Sequence, residues 1–227
     1  MQRYFMMLIG MSVMLVAEFQ ATIKPVNRYI KQRMIEGKSW HKGCPVAPSD
    51  LRYIRLTHKN FYRSERTGEM IVHKDVADEV VEIFRELYEI GYPIRQMRLV
   101  SDFKGSDWRS IEADNSSAFN CRNVSTGRKK WSKHAYGLAI DLNPIENPFV
   151  NRRGYIAHRA SYRFKKRRHR SNAFVDRAML LKSDEAVKIF EAHGWKWGGD
   201  FSPYKDYQHF AKEHNTAQPK ENKEKSE

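Results

Sequence analysis

Two short segments of the chain carry histidine and aspartate in a pattern that is typical of metal ligands. One segment reads SKHAYGLAID and contains His134 and Asp141; the other reads DYQHF and contains Asp206 and His209. Two imidazoles and one carboxylate can hold a zinc ion and leave a fourth position open for water, which is the arrangement of a catalytic zinc site. A fold with such a site has to bring together side chains that are distant along the chain.

The residue types also suggest how such a site would work. Two neutral histidines and one aspartate leave a net charge of +1 on zinc, and water bound in such sites has a pKa of about 7. Asp206 lies three residues before His209, so it can reach the same water and accept its proton. Other interpretations stay open, because histidine is often a polar surface residue, Asp141 can cap a turn, and Asp206 can be an ordinary loop carboxylate.

The positive charge of the chain is concentrated in one stretch. The 227 residues indicate one domain with attached segments, and the formal net charge is +14. Residues 152–170 contain nine Lys or Arg and no Asp or Glu, which predicts a basic loop. Such a loop can bind phosphate-rich polymers through salt-sensitive contacts, or it can be a solvated insertion without a specific ligand.

The N-terminus has the features of an export signal. Arg3 precedes an uncharged, largely apolar run of fourteen residues from Tyr4 to Ala17. This length matches the core of a signal peptide and falls short of the roughly 20 residues that span a bilayer. Neither Ala17 nor Ala21 has a small residue two positions before it, so residues 1–21 are either a signal peptide or an uncleaved membrane anchor. A buried N-terminal helix is the remaining interpretation.

Export narrows the expected location and partners. We expect a periplasmic or cell-envelope protein, whose basic loop would meet anionic envelope polymers or peptidoglycan carboxylates; no nucleic acid is expected as a partner. In an oxidising compartment, a pair of cysteines tends to form one bridge. The chain has only Cys44 and Cys121, and we predict a disulfide between them.

Hydrophobic periodicity predicts two helices among short strands. Val76, Val80, Ile83, Phe84 and Leu87 recur at helical spacing before Gly91, and a second helix begins near Ser183 and ends at Gly194, with a core face of Ala186, Val187, Ile189 and Phe190. A polar loop is predicted over residues 101–117. Predicted strands cover residues 51–56, 70–73, 94–100, 118–122, 137–142, 195–197 and 207–211. This order favours an α+β domain with a small antiparallel sheet flanked by helices.

Composition divides the rest of the chain. Residues 22–43 are basic and weakly patterned, which suggests a stalk. We place the folded domain at residues 44–212, with a basic insertion at 151–170. Residues 213–227 are polar and highly charged, and we expect them to be disordered.

The two histidine segments resemble signatures of a known family. The first is similar to the Ser-x-His-x-x-Gly-x-Ala-x-Asp signature of the VanY-type zinc D-alanyl-D-alanine carboxypeptidases and L-alanyl-D-glutamate endopeptidases, which cut peptidoglycan peptides. GWKWGGD, which starts at Gly194, and the following DYQHF resemble the second signature of that family. Together with GCPV from Gly43 and SAFNCR from Ser117, the resemblance covers residues 43–211.

The resemblance implies a fold and a role for each site residue. The fold would be like that of the Hedgehog proteins and D,D-peptidases. Asp206 matches the general base, Arg122 matches the arginine that binds the scissile carbonyl, and Ser132 matches a serine that holds the site or its substrate. The residues that match the zinc ligands are His134, Asp141 and His209.

The implied activity is zinc-dependent hydrolysis of an amide bond in peptidoglycan stem peptides. Asp206 stands where the carboxypeptidase branch often has Glu, so both branches stay open. Arg122 follows Phe-Asn-Cys, where better-known members have a Ser-Gly-Tyr-Arg type of strand. Two other functions remain. One is an inactive exported module that binds anionic envelope polymers through its basic loop, and the other is a zinc hydrolase of a different amide.

Overall fold

A computed structural model describes residues 18–124, 129–171 and 173–213. The helices are α1 (Arg28–Glu36), α2 (Ala77–Glu89), α3 (Asp107–Glu112), α4 (Phe174–Arg177) and α5 (Glu185–Ala192). The strands are β1 (Ala21–Pro25), β2 (Leu51–Lys59), β3 (Glu65–His73), β4 (Gln96–Met97), β5 (Asn115–Ser116), β6 (Ala139–Asp141), β7 (Phe149–Val150), β8 (Lys196–Trp197), β9 (Lys205–Asp206) and β10 (His209–Ala211). Short 3-10 helices include Lys133–Tyr136, Arg159–Phe164 and Gly198–Asp200.

Two three-stranded antiparallel sheets form the framework. The first has the strand order β1-β2-β3, and the second has the order β6-β10-β8. In the second sheet, His209 lies opposite Asp141. The pairs β4-β5, which is parallel, and β7-β9, which is antiparallel, complete the strands.

One hydrophobic core joins the two sheets. The apolar face of α2 is buried with side chains of β2 and β3, while Phe190 of α5 stacks on Phe210 of β10 with ring centroids 3.9 Å apart. The core side chains of both sheets and both helices belong to the same cluster, so the second sheet is packed on a rigid support. Trp195 and Trp197 are part of this core.

The mixed architecture confirms the predicted α+β class. Both predicted helices are present, with α2 ending before Gly91, whose φ of +67° is left-handed, and α5 burying its predicted core face. The strands predicted at 51–56 and 70–73 extend further and become β2 and β3. Strands that the sequence predicts at 137–142, 195–197 and 207–211 are present as the shorter β6, β8 and β10.

The stretch at residues 22–43 differs from the predicted stalk. It contains most of β1, which pairs with β2, and all of α1, which buries Ile30 and Met34 one turn apart. Asn27 caps α1 by accepting a hydrogen bond from the Ile30 N–H at 2.9 Å. Two apolar residues are enough here because the basic residues of the helix cover its outer side, which is why the composition resembles that of a stalk.

Two predicted strands are shortened or absent for a common reason. Only Gln96–Met97 of residues 94–100 is a strand, because the Arg95 and Arg98 N–H groups donate to the side-chain amides of Asn143 and Asn115. Residues 118–122 form no strand, because successive N–H groups donate to three separate segments, at Ile71, His134 and Ser39. The predicted loop at 101–117 contains the short helix α3 and the strand β5.

Several predictions about the ends of the chain fall on other residues. The apolar run at 4–17 and the tail at 214–227 lie outside the described residues. In the described part, no helix is both long enough and apolar enough to cross a bilayer. Cys44 and Cys121 are joined in the structure, with an S–S distance of 2.04 Å and a Cα–Cα distance of 5.8 Å.

Candidate metal centre

The structure brings His134, Asp141 and His209 to one place. His134 lies in a 3-10 turn whose first N–H groups are capped by Ser132, which accepts from the His134 N–H at 3.3 Å. The turn ends at Gly137, which has φ +69°, and a Cβ there would lie 2.5 Å from the backbone nitrogen of His73. Glycine is therefore required to bring this turn against β3. Asp141 and His209 face each other across β6 and β10.

The three side chains have the spacing of metal ligands. His134 Nε2 lies 3.2 Å from Asp141 Oδ2 and 3.3 Å from His209 Nδ1, and His209 Nδ1 lies 3.0 Å from Asp141 Oδ1. Zinc–ligand bonds of about 2.0–2.1 Å in a tetrahedron imply donor atoms about 3.3–3.4 Å apart. Two ring nitrogens at this separation need a proton or a cation between them. The donor set and its spacing therefore both fit a zinc ion.

The hydrogen bonds of His134 fix the nitrogen that can bind a metal. Its Nδ1 lies 2.5 Å from the carbonyl oxygen of Ala118, which can only accept, so Nδ1 carries the hydrogen. Nε2 then has a free lone pair directed at Asp141 and His209. A backbone carbonyl that orients a ligating histidine in this way is a common support of metal sites.

The charges at the centre favour an ionised aspartate. Burial raises the pKa of Asp141, but the charges and hydrogen bonds of His134 and His209 outweigh it and hold this pKa well below its usual value. Burial lowers the pKa of His209, but its hydrogen bond and charge interaction with Asp141 raise this pKa overall. A proton and a metal ion therefore compete for His209, since only the neutral imidazole is a ligand.

Asp206 lies next to this centre on β9. Its backbone pairs with Phe149 of β7, and Gly198 passes so close that a Cβ there would lie 2.3 Å from the Asp206 carbonyl oxygen. Gln208 donates a hydrogen bond to Asp206 Oδ1 at 3.3 Å. Burial raises the pKa of Asp206 above its usual value, with a further increase from Asp141 that the charge of His209 partly offsets. A raised pKa suits a carboxylate that exchanges protons near neutral pH.

Arg122 is held near the centre by a residue that the sequence prediction missed. Its Nε makes an ion pair with Asp107, and its Nη1 donates to the Asn123 carbonyl oxygen at 3.2 Å. The positive charge of Arg122 lowers the pKa of His209, which shows that the two side chains are close enough to interact. Asp107 is the first residue of α3, which Ser106 caps by accepting from the Arg109 N–H at 3.3 Å. The Ser106-Asp107 pair was a sequence indication of this helix start.

A second group of potential ligands does not form a comparable site. His41, Cys44 and Cys121 lie together, and these two groups are the candidate metal clusters among residues 18–124, 129–171 and 173–213. The two sulfur atoms are bonded to each other, so neither is a thiolate that could bind a metal. The site at His134 is therefore the candidate metal centre in this part of the chain.

Comparison with known proteins gives one match. The family model described as D-alanyl-D-alanine carboxypeptidase matches residues 126–212, a range that contains the three clustered side chains, Ser132 and Asp206, but not Arg122. No curated protein and no solved structure matches the chain. The match indicates a peptidase. The resemblance inferred from the two histidine segments is thus confirmed over residues 126–212, where the chain matches the D-alanyl-D-alanine carboxypeptidase family.

Proposed function

We propose that this protein is a zinc-dependent peptidase that hydrolyses an amide bond in peptidoglycan stem peptides. The observation that carries the proposal is the cluster of His134, Asp141 and His209, whose donor atoms lie 3.0–3.3 Å apart within the matched range. The proposal includes a fold of the Hedgehog and D,D-peptidase type and an exported location, with residues 1–21 as signal peptide or membrane anchor.

The proposed chemistry uses a metal and three polar side chains. His134, Asp141 and His209 would hold zinc, which when bound lowers the pKa of water and polarises a carbonyl oxygen. Asp206 takes a proton from the water that attacks the carbonyl carbon and returns it to the leaving amine nitrogen.

Arg122 and Ser132 support this reaction in different ways. The guanidinium of Arg122 stabilises negative charge on the carbonyl oxygen, and Nη2 is the nitrogen that we assign to the substrate, because Nε and Nη1 are engaged with Asp107 and Asn123. Ser132 is buried and caps the turn that carries His134, so we assign it to holding the site.

Removal of the metal tests the proposal directly. A chelator should abolish hydrolysis of purified muropeptides, and addition of zinc should restore it. His134→Ala should lose both zinc and activity, because a ligand is gone, whereas His169→Ala, an exposed histidine outside the centre, should keep both. Hydrolysis that is indifferent to the chelator would reject the zinc mechanism.

The bond that is cut can be found from the products. A carboxypeptidase releases one terminal D-alanine, whereas an endopeptidase separates L-alanine from D-glutamate. Mass analysis of defined muropeptides after digestion distinguishes these fragments. Cleavage of unrelated amides with equal efficiency would replace the peptidoglycan assignment by a broader zinc hydrolase.

A second candidate function is an exported binding module without catalysis. It is favoured by the basic insertion at residues 151–170, whose positive charge is largely unpaired in the described residues. Salt-sensitive binding to anionic envelope polymers, together with no hydrolysis by the zinc-loaded protein, would select this candidate.

A further inference from the structure

The basic insertion contains one anchoring arginine among exposed cations. Arg167 donates hydrogen bonds to Glu146 O at 2.6 Å, Leu180 O at 2.7 Å and Asn147 Oδ1 at 2.8 Å. Its guanidinium also lies 4.3 Å from the ring centroid of Tyr207. Burial lowers the pKa of Arg167 to about 10. The insertion is therefore fixed to the domain at one point and holds a defined shape.

The exposed cations around this anchor line a cavity. It has a volume of about 260 Å³, close to the lower end of the range of small-molecule sites. Its floor is apolar and is formed by Phe164, Val175 and Met179. The cations at its edge are Arg163, Lys166, Arg168 and Arg170.

The negative charge near this cavity is insufficient to balance these cations. Asp176 is the carboxylate among the lining residues, and one of its oxygens already accepts from the Ser171 hydroxyl at 2.7 Å. Within the described residues, Arg163 alone of the nine cations at 152–170 has a carboxylate oxygen within 4.0 Å, that of Glu146 at 3.9 Å. Burial, with the charge of Asp114, raises the pKa of Glu146 to about 9, so this partner is mostly neutral at pH 7.

We propose that this cavity is a binding site for an organic phosphate, such as a phosphomonoester or diphosphate group on a larger molecule. Four cations and one carboxylate leave a surplus of three positive charges, which a single carboxylate ligand would not balance. A phosphomonoester carries about −1.5 to −2 at neutral pH and has several acceptor oxygens for guanidinium groups. The apolar floor suits the carbon atoms that the phosphate is attached to. This site is separate from the candidate metal centre and does not depend on the proposed peptidase activity.

Direct binding to the full chain tests this assignment. Calorimetry at constant ionic strength should show binding of pyrophosphate and glycerol phosphate, with acetate binding at least about tenfold more weakly because it makes fewer charge-assisted hydrogen bonds. No binding of pyrophosphate at millimolar concentration would overturn the proposal. Equal affinity for acetate and pyrophosphate would also overturn it, since the cavity would then select charge alone.

Variants locate the binding. Lys166→Gln with Arg168→Gln should weaken pyrophosphate binding about tenfold or more, because two cations of the cavity are lost. The control pair Lys24→Gln with Lys188→Gln removes the same charge from exposed positions elsewhere and should change affinity less than about twofold. All four side chains are exposed, so folding should be unaffected. An equal loss in both pairs would show a non-specific charge effect and reject the site.

A chemical measurement on the unmodified chain gives an independent check. Pyrophosphate should slow acetylation of Lys166 by an amine-reactive reagent and leave the rate at Lys188 unchanged, as read by mass spectrometry of peptides. Equal rates at Lys166 with and without pyrophosphate would reject the site. Protection by single-stranded DNA but not by pyrophosphate would assign the cavity to nucleic acid instead and would also reject the proposal.

Discussion

The candidate metal centre and the basic insertion are built in opposite ways. The centre is assembled from strands and a tight turn, where backbone pairing places Asp141 opposite His209 and a left-handed glycine brings His134 into position. The insertion is attached mainly by the side chain of Arg167, which reaches three backbone or amide acceptors. Backbone register positions a reactive group closely, whereas one side-chain anchor permits an exposed loop to vary in composition.

The largest expected effect is at the metal centre. Asp206→Asn should lower kcat for muropeptide hydrolysis by about 10²–10⁴-fold, because the amide cannot accept a proton from the attacking water. Bound zinc, measured by elemental analysis, should stay the same, since Asp206 is outside the ligand set. Asp200→Asn, a nearby exposed carboxylate paired with Lys182, is the control and should keep most activity. Full activity of Asp206→Asn would remove this residue from the mechanism.

The next effect concerns the covalent link of the metal-centre region. Cys121 precedes Arg122, and its bond to Cys44 closes a loop with a sequence separation of 77 residues. Replacing both cysteines by alanine should lower the free energy of unfolding by about 2–5 kcal/mol, because a long loop regains entropy in the unfolded chain. Denaturant titration of the oxidised protein and the double variant measures the difference. Unchanged stability would show that the link contributes little beyond the packing around it.

A smaller loss of stability is expected at the anchor of the insertion. Arg167→Met should lower the free energy of unfolding by about 1–3 kcal/mol, because the acceptors at Glu146, Asn147 and Leu180 lose a shared donor. Arg168→Met, at the exposed neighbouring position, should stay within about 0.5 kcal/mol of the wild type. If the two variants were equally stable in denaturant titration, the insertion would not depend on Arg167, and the contrast between the two regions would fail.

The same contrast explains what the sequence could predict. The ligands at His134, Asp141 and His209 could be identified because their residue types and local spacing are tied to a turn and two adjacent strands. Arg167 could not be distinguished from Lys166 or Arg168, since a run of cations carries no periodicity that separates a buried arginine from exposed neighbours.

Long-range hydrogen bonds account for the errors in the fold. The strand predicted at 118–122 has suitable residues, but its N–H groups are taken by three segments that are distant in the chain. Likewise, the helix α1 depends on Ile30 and Met34 meeting the core, which a basic local composition conceals. Local patterns therefore predicted α2 and α5, whose apolar faces are complete within one segment, better than elements whose partners come from elsewhere.

The smallest expected effect is the pH dependence that Glu146 adds next to the anchor. This carboxyl group is fully buried, and burial together with Asp114 raises its pKa to about 9, from an ordinary value near 4.5. Between these two values the folded chain holds a proton that the unfolded chain has released, so this group makes stability fall as pH rises, by at most about 1.4 kcal/mol per pH unit. Below the ordinary pKa both states are protonated and this pH dependence disappears.

Glu146→Gln should remove that slope, because the amide does not titrate. The difference in unfolding free energy between the variant and the wild type should therefore shift in favour of the variant between pH 5 and pH 8, as measured by denaturant titration at several pH values. Other groups titrate alike in both proteins, so their contributions cancel in this difference. Parallel curves would mean that Glu146 is ionised in the folded protein and pairs with Arg163 at 3.9 Å, which would neutralise one cation of the insertion and reduce its contrast with the metal centre.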